Sequence, residues 1–308
     1  MKESYFESFD GSRIFLRVFQ EVYSPKAIML IAHGMSEHSA RYIPFAEYLN
    51  KMGVIVYIPD HRGHGKTAGE IAKVGKTEGV DIFENTVRDL LFLTDLIKKE
   101  HKDLPFILMG HSYGSFLSQE IISRFTPDAV ILSGSAYFNT GLNRAAKIIA
   151  AMTCFFKGED APAKLICKLS FDSYSKKFSN GCWLSTLDET RDKYKADPYC
   201  TQVFSAGFYR SFFTHGVKMY TKEHQQAINK QLPICILSGA NDPVGDYGKT
   251  TTMLYDFYKQ IGCSNVSFKL YKDARHEILN DYCREEVYAD IIDFLSRNVF
   301  EEEESALV

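Results

Sequence analysis

Six short stretches of this 308-residue chain are read as apolar runs: 27–32, 54–58, 106–109, 129–132, 234–237 and 266–270. An unbroken apolar strand has both faces covered, which is the condition of a parallel sheet flanked by helices. Helix-like stretches stand between the runs, at 40–51, 82–100, 113–125 and 245–261, with another at 281–299 closing the chain. Strand and helix therefore alternate, and the expected core is α/β with right-handed crossovers. Ahead of it, Ile14, Leu16 and Val18 alternate with Arg13, Phe15 and Arg17 behind an Asp10-Gly11 turn, the signature of a hairpin.

The alternation stops at Ser135 and resumes at Leu232-Pro233. The segment between has no buried-strand run and is rich in aromatics, among them Phe138, Phe155, Phe156, Phe171, Trp183, Phe204, Phe208, Phe212 and Phe213. The expected organisation is a core of 1–135 and 232–308, with 136–231 a helical cap inserted after the sixth strand. Residues 145–156 could form an amphipathic lip toward a membrane or micelle. Aromatic stripes more often pack inward, so packing of the cap onto the core is the expectation.

Composition removes several classes. The net charge is −3, no basic block stands out, and nucleic acid is excluded as a partner. The start, MKESYFESFDG, lacks the basic-then-apolar order of a signal peptide, and no apolar run approaches a membrane span. Seven cysteines without a CxxC pair suggest free thiols in a reducing cytoplasm. The run Glu301-Glu-Glu-Glu304 reads as a solvated tail.

The sequence GHSYG at 110–114 ends one of the buried strands and opens a helix. That is the setting of a nucleophile elbow, G-x-S-x-G, in which glycines permit a turn sharp enough to lift a serine clear. A serine hydroxyl needs a base, a group to orient the base and donors for an oxyanion. Only His276 lies beyond His224, in the loop after the last strand, where the order Ser…Asp…His places the base. Asp242 follows the 234–237 strand and is the candidate acid; Asp246 is the runner-up, placed where a helix should start and suited to N-capping. The N–H groups of Met35 and Tyr113 are the candidate oxyanion donors, with Gly34 allowing close backbone approach. His33 and His38 have no carboxylate or cysteine at metal-ligand spacing, so no metal is expected, and no organic cofactor.

With these residues in place the chain resembles the monoacylglycerol lipase and lysophospholipase group of α/β-hydrolases, also grouped as serine aminopeptidase S33-like. The matching segments are HGMSEHSARY (33–42), DHRGHGKT (60–67), GHSYG (110–114), NDP (241–243) and ARHE (274–277). The inserted segment matches only at Asp197-Pro198. The resemblance implies an α/β-hydrolase fold with a cap, a lipid ester substrate with an apolar acyl chain, Ser112, Asp242 and His276 as triad, and Met35 and Tyr113 as oxyanion hole. It makes 60–67 a structural loop. Tyr113 stands where relatives often have methionine, and Ser115 where many have glycine. Two other readings stay open: an aminopeptidase, which needs a carboxylate pair such as Glu159-Asp160 or Asp188-Glu189, and a ligand sensor with little turnover.

Overall fold

The computed structural model describes residues 1–300. Eight strands form one sheet in the order β1-β2-β4-β3-β5-β6-β7-β8. They are β1 (Lys2–Glu7), β2 (Arg13–Phe19), β3 (Ala27–Ala32), β4 (Val54–Pro59), β5 (Phe106–His111), β6 (Ala129–Ser133), β7 (Ile234–Gly239) and β8 (Val266–Tyr271). Strands β1 and β2 run antiparallel to their neighbours, and the rest are parallel. This is the α/β core that the apolar runs predict and the α/β-hydrolase architecture that the resemblance implies. The Glu301–Glu304 tail lies outside the described residues.

The unbroken apolar runs are explained by two cores, one on each face. Along β3, Ile28, Leu30 and Ala32 join one core while Ala27, Met29 and Ile31 join the other. The second core is closed by α1 (Ile43–Lys51) and α12 (Arg284–Asn298), through Phe45, Leu49, Val287 and Ile291. The first is closed by α3 (Ile82–Glu100), α4 (Tyr113–Ile121) and α11 (Lys249–Gln260). A single short turn, α2 (Gly65–Ala68), sits in the loop after β4.

Six helices lie between β6 and β7: α5 (Gly141–Lys157), α6 (Lys164–Leu169), α7 (Phe171–Ser175), α8 (Asp188–Ala196), α9 (Ala206–Lys218) and α10 (Lys222–Ala227). Helix α9 seats this segment on the sheet layer. Its Phe212 meets Phe116 at 5.4 Å and stacks on Phe83 at 6.0 Å between ring centroids. Polar contacts lock the seat: Asp81, the N-cap of α3, accepts a hydrogen bond from Ser211 and pairs with His215 Nε2 at 2.8 Å.

Four expectations need correction. Strand β8 is half-exposed along Val266–Leu270, because it is the sheet edge; Lys269 on it pairs with Asp290 at 2.6 Å, a charge that blunts the edge. In β2, Phe15 and Arg17 are buried as well as the apolar set, and Arg17 is held by Glu3 and by Ser39 Oγ at 3.0 Å. The helix expected over 245–261 starts at Lys249, because Asp246, Tyr247 and Gly248 all have left-handed backbone. The aromatic segment divides: Phe138, Phe204, Phe208, Phe212 and Phe213 are buried, but Phe155 and Phe156 are 83% and 72% exposed. Packing inward therefore fails for the end of α5.

The loop after β4 is pinned by a buried ion pair. Arg62 Nε and Nη2 donate to both carboxylate oxygens of Asp89 on α3, at 2.6 and 2.7 Å. Removing one partner leaves the other charge uncompensated. Asp89→Ala is expected to lower stability by about 3 kcal/mol, read as a shift in the urea midpoint; an unchanged midpoint would show that Asp10 alone satisfies Arg62.

Candidate active site

Ser112 sits on the turn from β5 into α4 with φ 51° and ψ −118°, a backbone conformation that costs a non-glycine residue about 1–3 kcal/mol. Its surroundings enforce that shape. A Cβ on Gly114 would lie 1.9 Å from the Ala32 carbonyl oxygen, and one on Gly110 would lie 2.3 Å from the Gly114 carbonyl oxygen. The helix, the neighbouring strand and the elbow therefore approach at distances that only glycine permits. The Ser112 N–H donates to Ser133 O at 2.9 Å, and the Ser115 hydroxyl donates to Ser112 O at 2.6 Å. Ser115, the departure from the family glycine, thus braces the elbow. A polar thread continues from it: Ser115 Oγ to Ser135 Oγ at 2.8 Å, Gln119 Nε2 to Ser135 Oγ at 3.0 Å, and Tyr220 OH to Gln119 Oε1 at 2.9 Å.

The structure brings Asp242 to His276. Asp242 Oδ2 pairs with His276 Nδ1 at 2.8 Å and accepts from Ser238 Oγ at 3.1 Å, while Oδ1 accepts from Val244 N at 2.8 Å. Both residues are buried, so the histidine is not in an exposed loop. The rings of Trp183 and His111 lie against His276, with centroids 5.0 and 4.8 Å away. Burial opposes protonation of His276, but the Asp242 charge and hydrogen bond outweigh it, and the imidazole sits above its ordinary value. Burial holds His111 well below its own. Asp246 is turned toward Lys249 Nζ at 3.9 Å, and it caps nothing: the residue before α11 is Gly248.

Gly34 abuts the serine. A Cβ there would lie 3.2 Å from Ser112 Cβ, which places the Gly34–Met35 backbone against the elbow. Tyr113 opens α4, so its N–H has no earlier turn of helix to donate to. Met35, Ser112, Tyr113 and His276 all line one cavity of about 1060 Å³. Its walls are mostly apolar, with Phe138, Ala146, Ile149, Phe212 and Met253 among them. Leu142 and Leu169 line it too and are 75% and 61% exposed, so the cavity opens beside α5 and α6. The Tyr113 ring, unlike an unbranched methionine, wedges between Phe208 at 5.0 Å and Phe212 at 5.1 Å and shapes the wall beside the serine.

Sequence reasoning gave no role to a charged cluster at this site. Glu37 Oε1 accepts from Gly34 N at 2.5 Å and from Tyr42 OH at 2.8 Å. Arg41 lies between two carboxylates: Nη1 reaches Glu37 at 3.4 Å, and Nη1 and Nη2 donate to Glu277 at 2.5 and 2.6 Å. One guanidinium therefore ties the loop of Gly34 to the loop of His276. Every one of these residues stands in the matching segments HGMSEHSARY and ARHE, where the mix of buried apolar context and acid–base pairs was the available signal.

The loop 60–67 is structural, as expected. Asp60 accepts from Ser39 N at 2.8 Å and Lys66 N at 2.7 Å. His33 uses both ring nitrogens, with Nδ1 on Gly34 O at 2.7 Å and Nε2 accepting from His61 N at 3.0 Å, so it has no free ligand atom. Burial holds it neutral, down to about 3. His38 departs from expectation. Folding brings Asp197 and Cys200 to it, with the three ligand atoms within 4.8 Å of one another. Its Nε2 is already paired with Asp197 Oδ2 at 2.8 Å, a bond between core and inserted segment that gives the Asp197-Pro198 match its role.

The family described as Serine aminopeptidase, S33 matches residues 23–282. A monoglyceride lipase homolog of Monkeypox virus is 29% identical over 87% of this chain and 88% of its own. A monoacylglycerol lipase of Mycolicibacterium smegmatis is 27% identical over 95% of this chain and 96% of its own. A thermostable carboxyl esterase from Bacillus coagulans, solved with glycerol, superposes with a TM-score of 0.86 at 24% identity, over 97% of this chain and 98% of that one.

The Asp242–His276 pair makes one prediction independent of turnover. In the wild type the His276 imidazole is raised above its ordinary value, because the Asp242 carboxylate stabilises its protonated form. Asp242→Asn removes that charge and moves the value down, observable by NMR of the imidazole protons. A value that stays put would mean that Asp242 does not govern the histidine.

Proposed function

The chain belongs to the serine aminopeptidase S33 family of α/β-hydrolases, and within it we propose a serine carboxylester hydrolase that cleaves monoacylglycerols or closely related lysolipids. The observation that carries this reading is the buried Asp242–His276 pair opening, together with the strained Ser112, into a large apolar cavity. The division we propose is a core of 1–135 and 232–308 with 136–231 as the cap.

Ser112 is the nucleophile and attacks the acyl carbonyl. His276 Nε2 takes its proton, and the imidazolium that forms is stabilised by Asp242, which also fixes the tautomer through Nδ1. The N–H groups of Met35 and Tyr113 receive the oxyanion. His276 then returns the proton to the leaving glycerol oxygen, and a water takes the serine's place in the second half-reaction. The apolar walls accept the acyl chain. Leu142 of α5 lines the cavity, and the exposed Ile148, Met152, Phe155 and Phe156 of the same helix form the lip through which the cap meets a lipid surface. No helix among the described residues is long and apolar enough to cross a membrane. All seven cysteines are free and six are buried, in keeping with the cytoplasmic location we propose.

No observation favours the aminopeptidase reading. Glu159 is paired with Arg210, Asp188 with Arg191 at 2.7 Å and Glu189 with Lys193 at 2.7 Å, and none of them lines the cavity. Glu37 and Glu277 do line it, but both are held by Arg41.

The deciding experiment is fatty-acid release from a monoacylglycerol and from a lysophosphatidylcholine of equal chain length. The monoacylglycerol should be cleaved faster, and Ser112→Ala should lower kcat by roughly 10⁶-fold with the fold intact. An active Ser112→Ala protein would refute the assignment. Asp242→Asn should lower kcat by roughly 10⁴-fold, while Asp246→Asn should have little effect. The base must be neutral to accept a proton. A raised imidazole value therefore puts the acid limb of the pH profile above that of an ordinary histidine, with activity lost as pH falls through it. In Asp242→Asn the limb should move to lower pH.

A further inference from the structure

The lip on α5 and α6 is not only apolar. Residues 141–177 hold seven basic side chains and three acidic ones, a net of +4, within a chain whose net charge is −3. Two of the three acids are already engaged: Glu159 by Arg210, and Asp160 by the Thr77 N–H at 3.1 Å. Lys157, Lys164, Lys168 and Lys176 are exposed, and none has an ion-pair partner among the described residues. Their placement follows the apolar residues. Lys157 directly succeeds Phe156, and Lys164 and Lys168 flank the exposed Leu165, one helical turn apart. On α5 itself Ile148, Met152 and Phe155 recur at helical spacing on the outward stripe, while Ala150 and Cys154 face in.

Apolar side chains alone would enter any bilayer. Unpaired lysines around them add a term that only a negative surface rewards, and at physiological salt that term acts within about 8 Å. Unpaired cations concentrated on the one apolar face of an otherwise acidic protein therefore select the partner's charge. We propose that this face docks on bilayers carrying anionic phospholipid head groups, with Lys157, Lys164 and Lys168 supplying the selectivity and Phe155 and Phe156 the insertion. The proposal rests on the reading of α5 as the cap's lipid-facing lip. It also orients the enzyme, since the exposed Leu142 and Leu169 of the same two helices line the cavity. A docked molecule opens its cavity to the leaflet from which a monoacylglycerol would leave.

The test is sedimentation of the full chain with vesicles of phosphatidylcholine, alone or with about 30% phosphatidylserine. The anionic vesicles should bind at least about tenfold tighter, and the preference should vanish in roughly 0.5 M salt. Each lysine near such a surface is worth about fivefold. The triple variant Lys157→Gln/Lys164→Gln/Lys168→Gln should then lower anionic binding to the neutral level, without changing hydrolysis of a water-soluble short-chain ester. Phe155→Ser/Phe156→Ser should weaken binding to both vesicle types. Equal binding to the two vesicles by the wild type, or a preference that survives in the triple variant, would overturn the proposal. Ester hydrolysis without vesicle preference sinks the docking alone. Vesicle preference without any ester hydrolysis sustains the docking and sinks the hydrolase reading.

Discussion

The contact on which the rest of the site depends is the approach of α4 to β3 at Gly114. The helix backbone passes so close to the Ala32 carbonyl that any side chain carbon would overlap it. That proximity sets the angle at which the chain leaves β5, and the angle forces Ser112 into a left-handed conformation that the residue would not adopt by itself. The strain is sustained because the serine's amide and carbonyl are each held, by Ser133 and Ser115. The same approach puts the Gly34 backbone against Ser112 Cβ, so a single packing constraint positions both the proposed nucleophile and the loop proposed to receive the oxyanion.

Around that point the protein spends buried charge on alignment. Arg41, held between Glu37 and Glu277, joins two loops that are far apart in sequence. Glu37 fixes the amide of Gly34, and Glu277 is the residue after His276. A buried guanidinium with two carboxylates is costly to desolvate, and the pairing is repaid mainly in geometry. Neutral histidines fill the remaining polar positions. His33, His61 and His111 are each kept uncharged by burial, so none of them adds a positive charge beside His276, whose imidazole is raised.

Much of this was legible in the sequence because it is local. The apolar runs mark β3 to β7 within a residue or two, and the elbow announces itself by the glycines its turn requires. The order of Ser112, Asp242 and His276 along the chain follows the order of the strands that present them. What escaped was set by tertiary partners. The edge position of β8 depends on sheet order, which periodicity does not encode. The left-handed run at Asp246–Gly248 delays α11, and only the third of those residues is a glycine. Phe155 and Phe156 have the composition of core and the placement of surface, because α5 turns Ala150 and Cys154 inward instead. The grouping of His38 with Asp197 and Cys200 spans the chain, and no spacing rule could have found it.

The covering of His276 has a consequence for how the molecule is made. The amides of His276 and Glu277 donate to the carbonyls of Trp183 and Leu184, at 3.4 and 2.7 Å, so the histidine loop is roofed by the backbone of the inserted segment. The elbow emerges from the ribosome well before the histidine. Until it arrives, the proposed nucleophile is without its proposed base. The inserted segment must be docked by then, because it supplies the acceptors that close the loop. The proposed site is thus completed only after β8 has been made, and a product that stops short of that strand lacks the proposed base.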